Sequence, residues 1–437
     1  MTLPVVLAHG ISARGDLPLP LWMVAYGAAA VLFVSFAALA ALWPKARLEG
    51  APRGVVVSER VRRPLGVLAW AVRVVGLVLF AVVTAAAFVG EPQVTNNIAP
   101  YAIYVALWVG GMLVSGLIGD VWRLLSPFET ALAVRRARGA DDADREVPEF
   151  GVRPAAVMLL AFAWLELVHP DPGHPRVLAM GIGLYVGVML LGWAWAGPGW
   201  VRSADPFGAF FRLLAAMAPI ARDDDGRLRL RPPMVGLAEV VPVPGTAAVV
   251  LVALGSTTYD GVTRLPAWQE LVGPSTGWST VPMRTLGLLA TVAVVAGLYL
   301  GAMSVAARRA DRTTAEMVAA FVHSLIPIAL AYAIAHYFSL LVFEGQLLIA
   351  LASDPLGRGW DLFGTNGRGV DFEAVSTTTI AWVQAGAIIL GHVVGVVVAH
   401  DRAVATLPKG VATRSQYALL TAMVAYTVGG LFLLLGG

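Results

Sequence analysis

Ten apolar runs, most of them as long as a membrane crossing, constrain this 437-residue chain more than any other feature of it. They fall near 21–43, 66–89, 99–119, 154–168, 177–197, 236–256, 283–306, 315–343, 377–399 and 416–435. About 20 apolar residues cross the hydrocarbon layer as a helix. Lipid offers the backbone no hydrogen bonds, so each run is expected to be helical. The fourth run is short, and Pro242 and Pro244 interrupt the sixth. Charged residues make up only 14% of the chain, against about 25% in a soluble protein. That is too little polar surface to cover a water-soluble globule. The absence of Cys excludes a disulfide scaffold, thiolate metal sites, iron–sulfur clusters and cysteine nucleophiles. The expected fold is an all-α polytopic transmembrane bundle of about ten spans, forming a single integral membrane domain over 1–437.

Orientation follows from Lys and Arg. The connections after the first, third and fifth runs carry six each, and those after the seventh and ninth carry three each. The opposite side holds only Arg14, Arg176, Arg264, Arg284, Arg358 and Arg368. This is 24 against six, and the positive-inside rule puts both termini outside, as a multi-pass protein of the plasma membrane. The pI of 9.3 therefore reflects topology; the partner is the lipid bilayer, not nucleic acid. Met1 to Ala8 is too short for the apolar core of a cleavable signal, so the first run is expected to act as a reverse anchor.

The connections are too short to bury cores of their own. Ser126-Pro127-Phe128-Glu129 reads as a capping box. Asp205-Pro206-Phe207 repeats its N-cap and N1 logic, with Phe207, Phe210, Phe211, Leu214 and Met217 on one helical face. Both stretches, near 127–138 and 206–218, are expected to be amphipathic helices on the cytoplasmic membrane surface, with Trp122 and Trp200 as interfacial anchors. They suggest a tandem duplication of runs 2–3 and 4–5, although any interfacial loop favours Trp, Pro and Phe. Gly183/Gly187, Gly297/Gly301 and Gly391/Gly395 are G-x-x-x-G pairs of the kind that lets helices approach closely. Leu347–Leu351 is too short to span and reads as an interfacial or re-entrant piece.

No P-loop, H-E-x-x-H or G-x-S-x-G motif occurs, so nucleotide binding through a P-loop, zincin chemistry and a nucleophile elbow are not expected. The candidate chemistry lies in histidines. His323 and His392 each sit roughly 12 Å from the cytoplasmic face of consecutive antiparallel helices. They are placed to meet as haem b ligands or as a proton relay; the plainer alternative is a bond from each to a neighbouring carbonyl. Arg73, the one cation deep inside a run, needs a partner, with Glu166 and Asp120 as candidates. Together Arg73, His323 and His392 would form an internal polar path. On the outer side His9, Glu166, His169, His174 and His336, with Asp171 and Glu344, are the ligand types that hold zinc or copper. A solvated polar rim would contain the same residues. Pro327 is expected to kink the eighth helix, with Ser324 taking up a freed carbonyl.

Several stretches resemble a polytopic family widespread in actinobacteria. They are Ala8-His9-Gly10 with Asp16-Leu17-Pro18-Leu19-Pro20, Phe321 to Tyr332, Ala335-His336-Tyr337-Phe338, Ser353-Asp354-Pro355, Gly359 to Gly364, and Gly391-His392. The 29 Arg against two Lys fit a GC-rich genome. Members are commonly labelled fenitrothion hydrolase, so the resemblance implies an organophosphate-degrading activity. Three functions follow as expectations. The first is a permease-like carrier or membrane component handling a small molecule or metal ion. The second is a metal-dependent membrane hydrolase, with a water on the outer histidine and acid group attacking the phosphoryl centre. The third is a haem-carrying redox subunit.

Overall fold

The computed structural model of the protein describes residues 19–49, 54–139, 148–222 and 226–435. Helices dominate. In chain order they are α1 (Leu21–Leu42), α2 (Glu59–Val89), α3 (Ile98–Pro100), a π-helical stretch (Tyr101–Gly110), α4 (Gly111–Leu117), α5 (Trp122–Leu125) and α6 (Pro127–Ala137). There follow α7 (Arg153–Leu167), α8 (Pro175–Ala196), α9 (Trp200–Ala204), α10 (Pro206–Leu214), α11 (Thr246–Val262) and α12 (Pro266–Val272). The last third contains α13 (Val281–Ala310), α14 (Thr314–Phe321), α15 (Ile326–Ala352), α16 (Thr377–Thr406), α17 (Val411–Ser415) and α18 (Tyr417–Leu435). Three short strands, β1 (Val55–Val56), β2 (Ile220–Arg222) and β3 (Leu228–Leu230), pair antiparallel in the order β1-β3-β2 at the arginine-rich end.

Among the described residues eight helical stretches are long and apolar enough to cross a membrane, so the chain is a multi-pass helical membrane protein. The two remaining runs are α7 and α11, with 15 and 17 residues. They are short for a lipid-facing span, and α11 is buried along nearly its whole length. Protein rather than lipid surrounds it, which removes the length requirement. It is also displaced from the run at 236–256: the Pro242 and Pro244 segment stays non-helical and the helix continues to Val262. The stretch Thr314–Ala352 is the central element, 78% buried, whereas Glu59–Val89 and Pro175–Ala196 are only 22% buried and face outward. A 3₁₀ turn, Val322–Leu325, breaks the central stretch just before Pro327, and the Ser324 hydroxyl donates to the Phe321 carbonyl at 2.7 Å.

Other expectations are corrected. Leu347–Leu351 is no separate piece, because α15 runs through it to Ala352. The segment 206–218 does not lie on a surface. Phe207, Phe210, Phe211, Leu214 and Met217 are all buried, and so are Gly208 and Ala209 on the other side of α10. Only Arg212 and Leu213 of this helix are partly exposed, so most of its circumference is enclosed by protein. Trp122 and Trp200, both partly buried, are tied into the protein. The Trp122 indole donates to Asp205 at 2.7 Å, while Trp200 donates to the Val188 carbonyl at 3.2 Å and fills the space over Gly192. The cap of α6 is half a capping box: Ser126 accepts from the Glu129 N–H, but the Glu129 carboxylate turns instead toward Arg123 and Arg202. The local pattern does recur, since α5 and α9 each begin with Trp and lead through an N-cap to a helix with Pro at its start.

Candidate functional site

The two short helices determine where the buried acids sit. Glu166 lies one residue before the end of α7, and Asp260 lies two before the end of α11, so both carboxylates are carried into the bundle instead of its surface. Asp260 meets His336 of α15. Its Oδ2 is 2.6 Å from Nε2, and both side chains are 0% exposed. Arg264, one turn beyond Asp260, brings Nη2 to 3.3 Å from the same imidazole nitrogen. Glu166 interacts electrostatically with Asp260. Tyr332, one turn before His336 on the same helix face, stacks over its ring at 6.4 Å and 5°, and Tyr337 meets it edge-on at 4.8 Å.

This arrangement has a definite acid–base meaning. One imidazole nitrogen cannot donate to a carboxylate and accept from a guanidinium in the same state. A proton at Nε2 is given to Asp260, with Arg264 as a neighbouring charge; a proton on Asp260 is given to Nε2. The two groups thus share one proton position. Removing two charges from water costs several kcal/mol each unless attraction and hydrogen bonds compensate, and the short contact with Arg264 nearby supplies both.

The sequence-selected residues scatter around this pair. His9 lies outside the described residues. His169 accepts the Asp171 N–H at Nδ1 (3.1 Å) and packs against Trp278, while His174 accepts the Arg176 N–H at Nδ1 (3.2 Å) as the N-cap of α8. These are loop and cap roles. Among the described residues no three His, Asp or Glu side chains group as metal ligands, so the zinc or copper cluster of Glu166, His169, His174 and His336 is not assembled there. His323 lies in the 3₁₀ turn against the Ala320 carbonyl. His392 of α16 bonds the Ile388 carbonyl through Nδ1 at 2.8 Å. Among the described residues no hydrogen bond or ring contact joins these two imidazoles, because each bonds one turn back within its own stretch.

Arg73 is buried as expected, but its neighbours are neither Glu166 nor Asp120. Its Nη1 donates to Thr130 of α6 at 3.3 Å, its guanidinium lies 5.7 Å over Trp70, and Glu129 is the carboxylate it faces. The reason is that α2 packs on α5 and α6, away from α7. Glu129 in turn stands between Arg123 at 4.0 Å and Arg202 at 3.8 Å. In the same region burial pushes the Asp205 carboxyl up to about 6, against the opposing bonds from Trp122 and the Gly208 N–H.

Asp260 was missed in the sequence for a physical reason. Ser256-Thr257-Thr258 reads as the polar end of an apolar run. Within the helix these hydroxyls donate back to the carbonyls of Ala253, Ala253 and Leu254 at 3.1, 2.9 and 2.7 Å, so they leave the helix unbroken. The signal that would have found Asp260 is its spacing of four residues from Arg264, in a stretch otherwise free of charge. Comparison with known protein families, with curated proteins and with solved structures gives no match.

Proposed function

We propose that the chain is a proton-coupled membrane carrier of a small molecule or metal ion, with the Asp260–His336 pair as the site where a proton is held and released. The observation that carries this reading is the 2.6 Å contact between two fully buried titratable groups inside a bundle of membrane-crossing helices. An ionisable residue at such depth is a functional candidate by default. The surroundings favour it: Arg264 stands beside the shared proton position, and Glu166 is a second acid near Asp260. The haem reading draws on His323 and His392, each of which is bonded to a carbonyl of its own stretch. The hydrolase reading, implied by the resemblance to the family labelled fenitrothion hydrolase, draws on histidines that do not converge among the described residues. The carrier reading needs only the pair.

The test is proton uptake into vesicles containing the purified protein, driven by a potassium diffusion potential and followed with an entrapped pH-sensitive dye. Uptake is expected with the unaltered chain, and Asp260→Asn and His336→Gln are each expected to reduce it by about a hundredfold, the scale of a lost acid–base group. Uptake that is absent from the unaltered chain, or unchanged in both variants, would overturn the reading.

A further inference from the structure

We infer that the three-stranded sheet at the arginine-rich end is an interfacial anchor, seated on the boundary between lipid headgroups and acyl chains. Its register sets which side chains share a face. Val55 stands opposite Leu230, and Leu230 opposite Ile220, so these three project together from one side of the sheet. They are 75%, 57% and 40% exposed. Leu228 and Arg222, the pair two positions further along β3 and β2, lie on the same side. Val56, Arg229 and Ala221 take the other side. An antiparallel sheet with one face in water carries its polar residues there. Here the more exposed face is the apolar one, and an open apolar patch marks a surface that meets lipid or protein.

The attachments of the sheet say that the partner is lipid. The Ile220 N–H donates to the Ile118 carbonyl at 3.2 Å, directly after the crossing stretch Ile98–Leu117. Leu117 and Ile118 are themselves 60% and 49% exposed, so open apolar surface passes from the end of that stretch to β2. On the other flank the Val57 N–H donates to the Leu228 carbonyl at 2.9 Å, two residues before the crossing helix α2 begins at Glu59. The sheet is thus tied to two crossing segments at the point where each ends. Only one layer then suits it. Hydrocarbon cannot satisfy the outer edges of an open sheet, and water disfavours the apolar row. The headgroup–acyl boundary supplies polar partners to the edges and apolar surroundings to the row, as it does for amphipathic helices that lie in it. Arg222 adds charge complementarity. It is exposed on the same face, and the charges that act on it are Arg123 and Arg136 against Asp120; Asp223, Asp224 and Asp225, which follow it in sequence, lie outside the described residues. A guanidinium at this level meets lipid phosphate, for which its planar donor fork is suited.

The test uses the full chain, whose lack of Cys gives each single-Cys variant one attachment point for a nitroxide label. Val55→Cys and Leu230→Cys report on the face from different strands, and Arg138→Cys, exposed just beyond α6, is the reference for water. The labelled proteins are reconstituted into vesicles of phosphatidylcholine and phosphatidylglycerol. Collisions of the label with oxygen, which concentrates in lipid, are then compared with collisions with a water-soluble nickel chelate. Labels at Val55 and Leu230 are expected to favour oxygen over the chelate, and the Arg138 label is expected to show the reverse order. A preference for the chelate at Val55 and Leu230 equal to that at Arg138 would put the face in water and overturn the anchor. Protection of both labels from both reagents would mean that protein covers the face, through a second copy of the chain or another partner, and would overturn it equally.

Discussion

Asp401 is a single carboxylate that fixes a whole turn. It accepts the Trp43 indole N–H at 2.8 Å and the backbone N–H groups of Arg47, Leu48 and Glu49 at 2.6, 3.1 and 3.0 Å, tying the segment after α1 to α16. Hydrogen bonds to a charged group each contribute about 1.5–3 kcal/mol. Asp401→Ala is therefore expected to cost about 3 kcal/mol, read as a lower thermal midpoint in detergent, and to open tryptic cleavage after Arg47. Asp205 makes a pH-dependent contribution of the opposite kind to an ordinary salt bridge. Burial raises its carboxyl from 3.8 to about 6, so the folded state binds the proton more tightly than the unfolded chain. The resulting stabilisation is fully present below about pH 4 and is lost as pH rises through about 6, a change of about 2–3 kcal/mol. Asp205→Asn is expected to remove that part of the pH dependence, which a series of melting curves from pH 4 to 7 would detect. The sequence singles out His336 as a metal-ligand candidate; the structure sets it against Asp260, a partner the sequence does not reveal. An acid beside hydroxyl residues looks like a loop until those hydroxyls are seen to bond within the helix.

At the level of elements, hydropathy and composition single out ten runs, and eight of them lie in helices long and apolar enough to cross a membrane, since long apolar runs admit one conformation in lipid. They could not distinguish a span from a short helix enclosed by protein, because hydropathy records polarity and not surroundings. The three G-x-x-x-G pairs show the same limit. A Cβ at Gly391 would lie 2.1 Å from the Ala331 Cβ, and one at Gly395 would lie 2.9 Å from the Ser324 carbonyl oxygen, so this pair sets the approach of α16 to the central stretch. At Gly183, Gly187, Gly297 and Gly301 nothing lies within 4 Å. Gly391→Ala is expected to cost about 1–3 kcal/mol through overpacking. Gly187→Ala is expected to be neutral or to stabilise by up to about 1 kcal/mol through helix propensity. Thermal unfolding of the two single variants side by side would separate a packed pair from an open one.

For the whole molecule, the lack of Cys makes the expected orientation directly testable. Arg138 and Gly369 are both exposed, and the expected orientation puts them on opposite sides of the membrane. A membrane-impermeant maleimide is expected to label Gly369→Cys in intact cells and Arg138→Cys only after permeabilisation; the reverse pattern would invert the topology. The expectation itself rests on the asymmetry of Lys and Arg, which depends on counts along the chain. The way the helices assemble around the Asp260–His336 pair was not legible, since it depends on contacts between segments far apart in sequence.

The placement of α1 has a consequence for biosynthesis. This helix is the first of the described spans to leave the ribosome, yet it packs against α16 and α18, and the turn that follows it is held by Asp401. Residues 55–56 likewise wait for 228–230 before they can pair. Closing such distant contacts carries an entropic cost that local ones avoid. The earliest of the described spans is thus among the last to be secured, and until α16 and α18 have been made α1 must remain in the bilayer without its final neighbours.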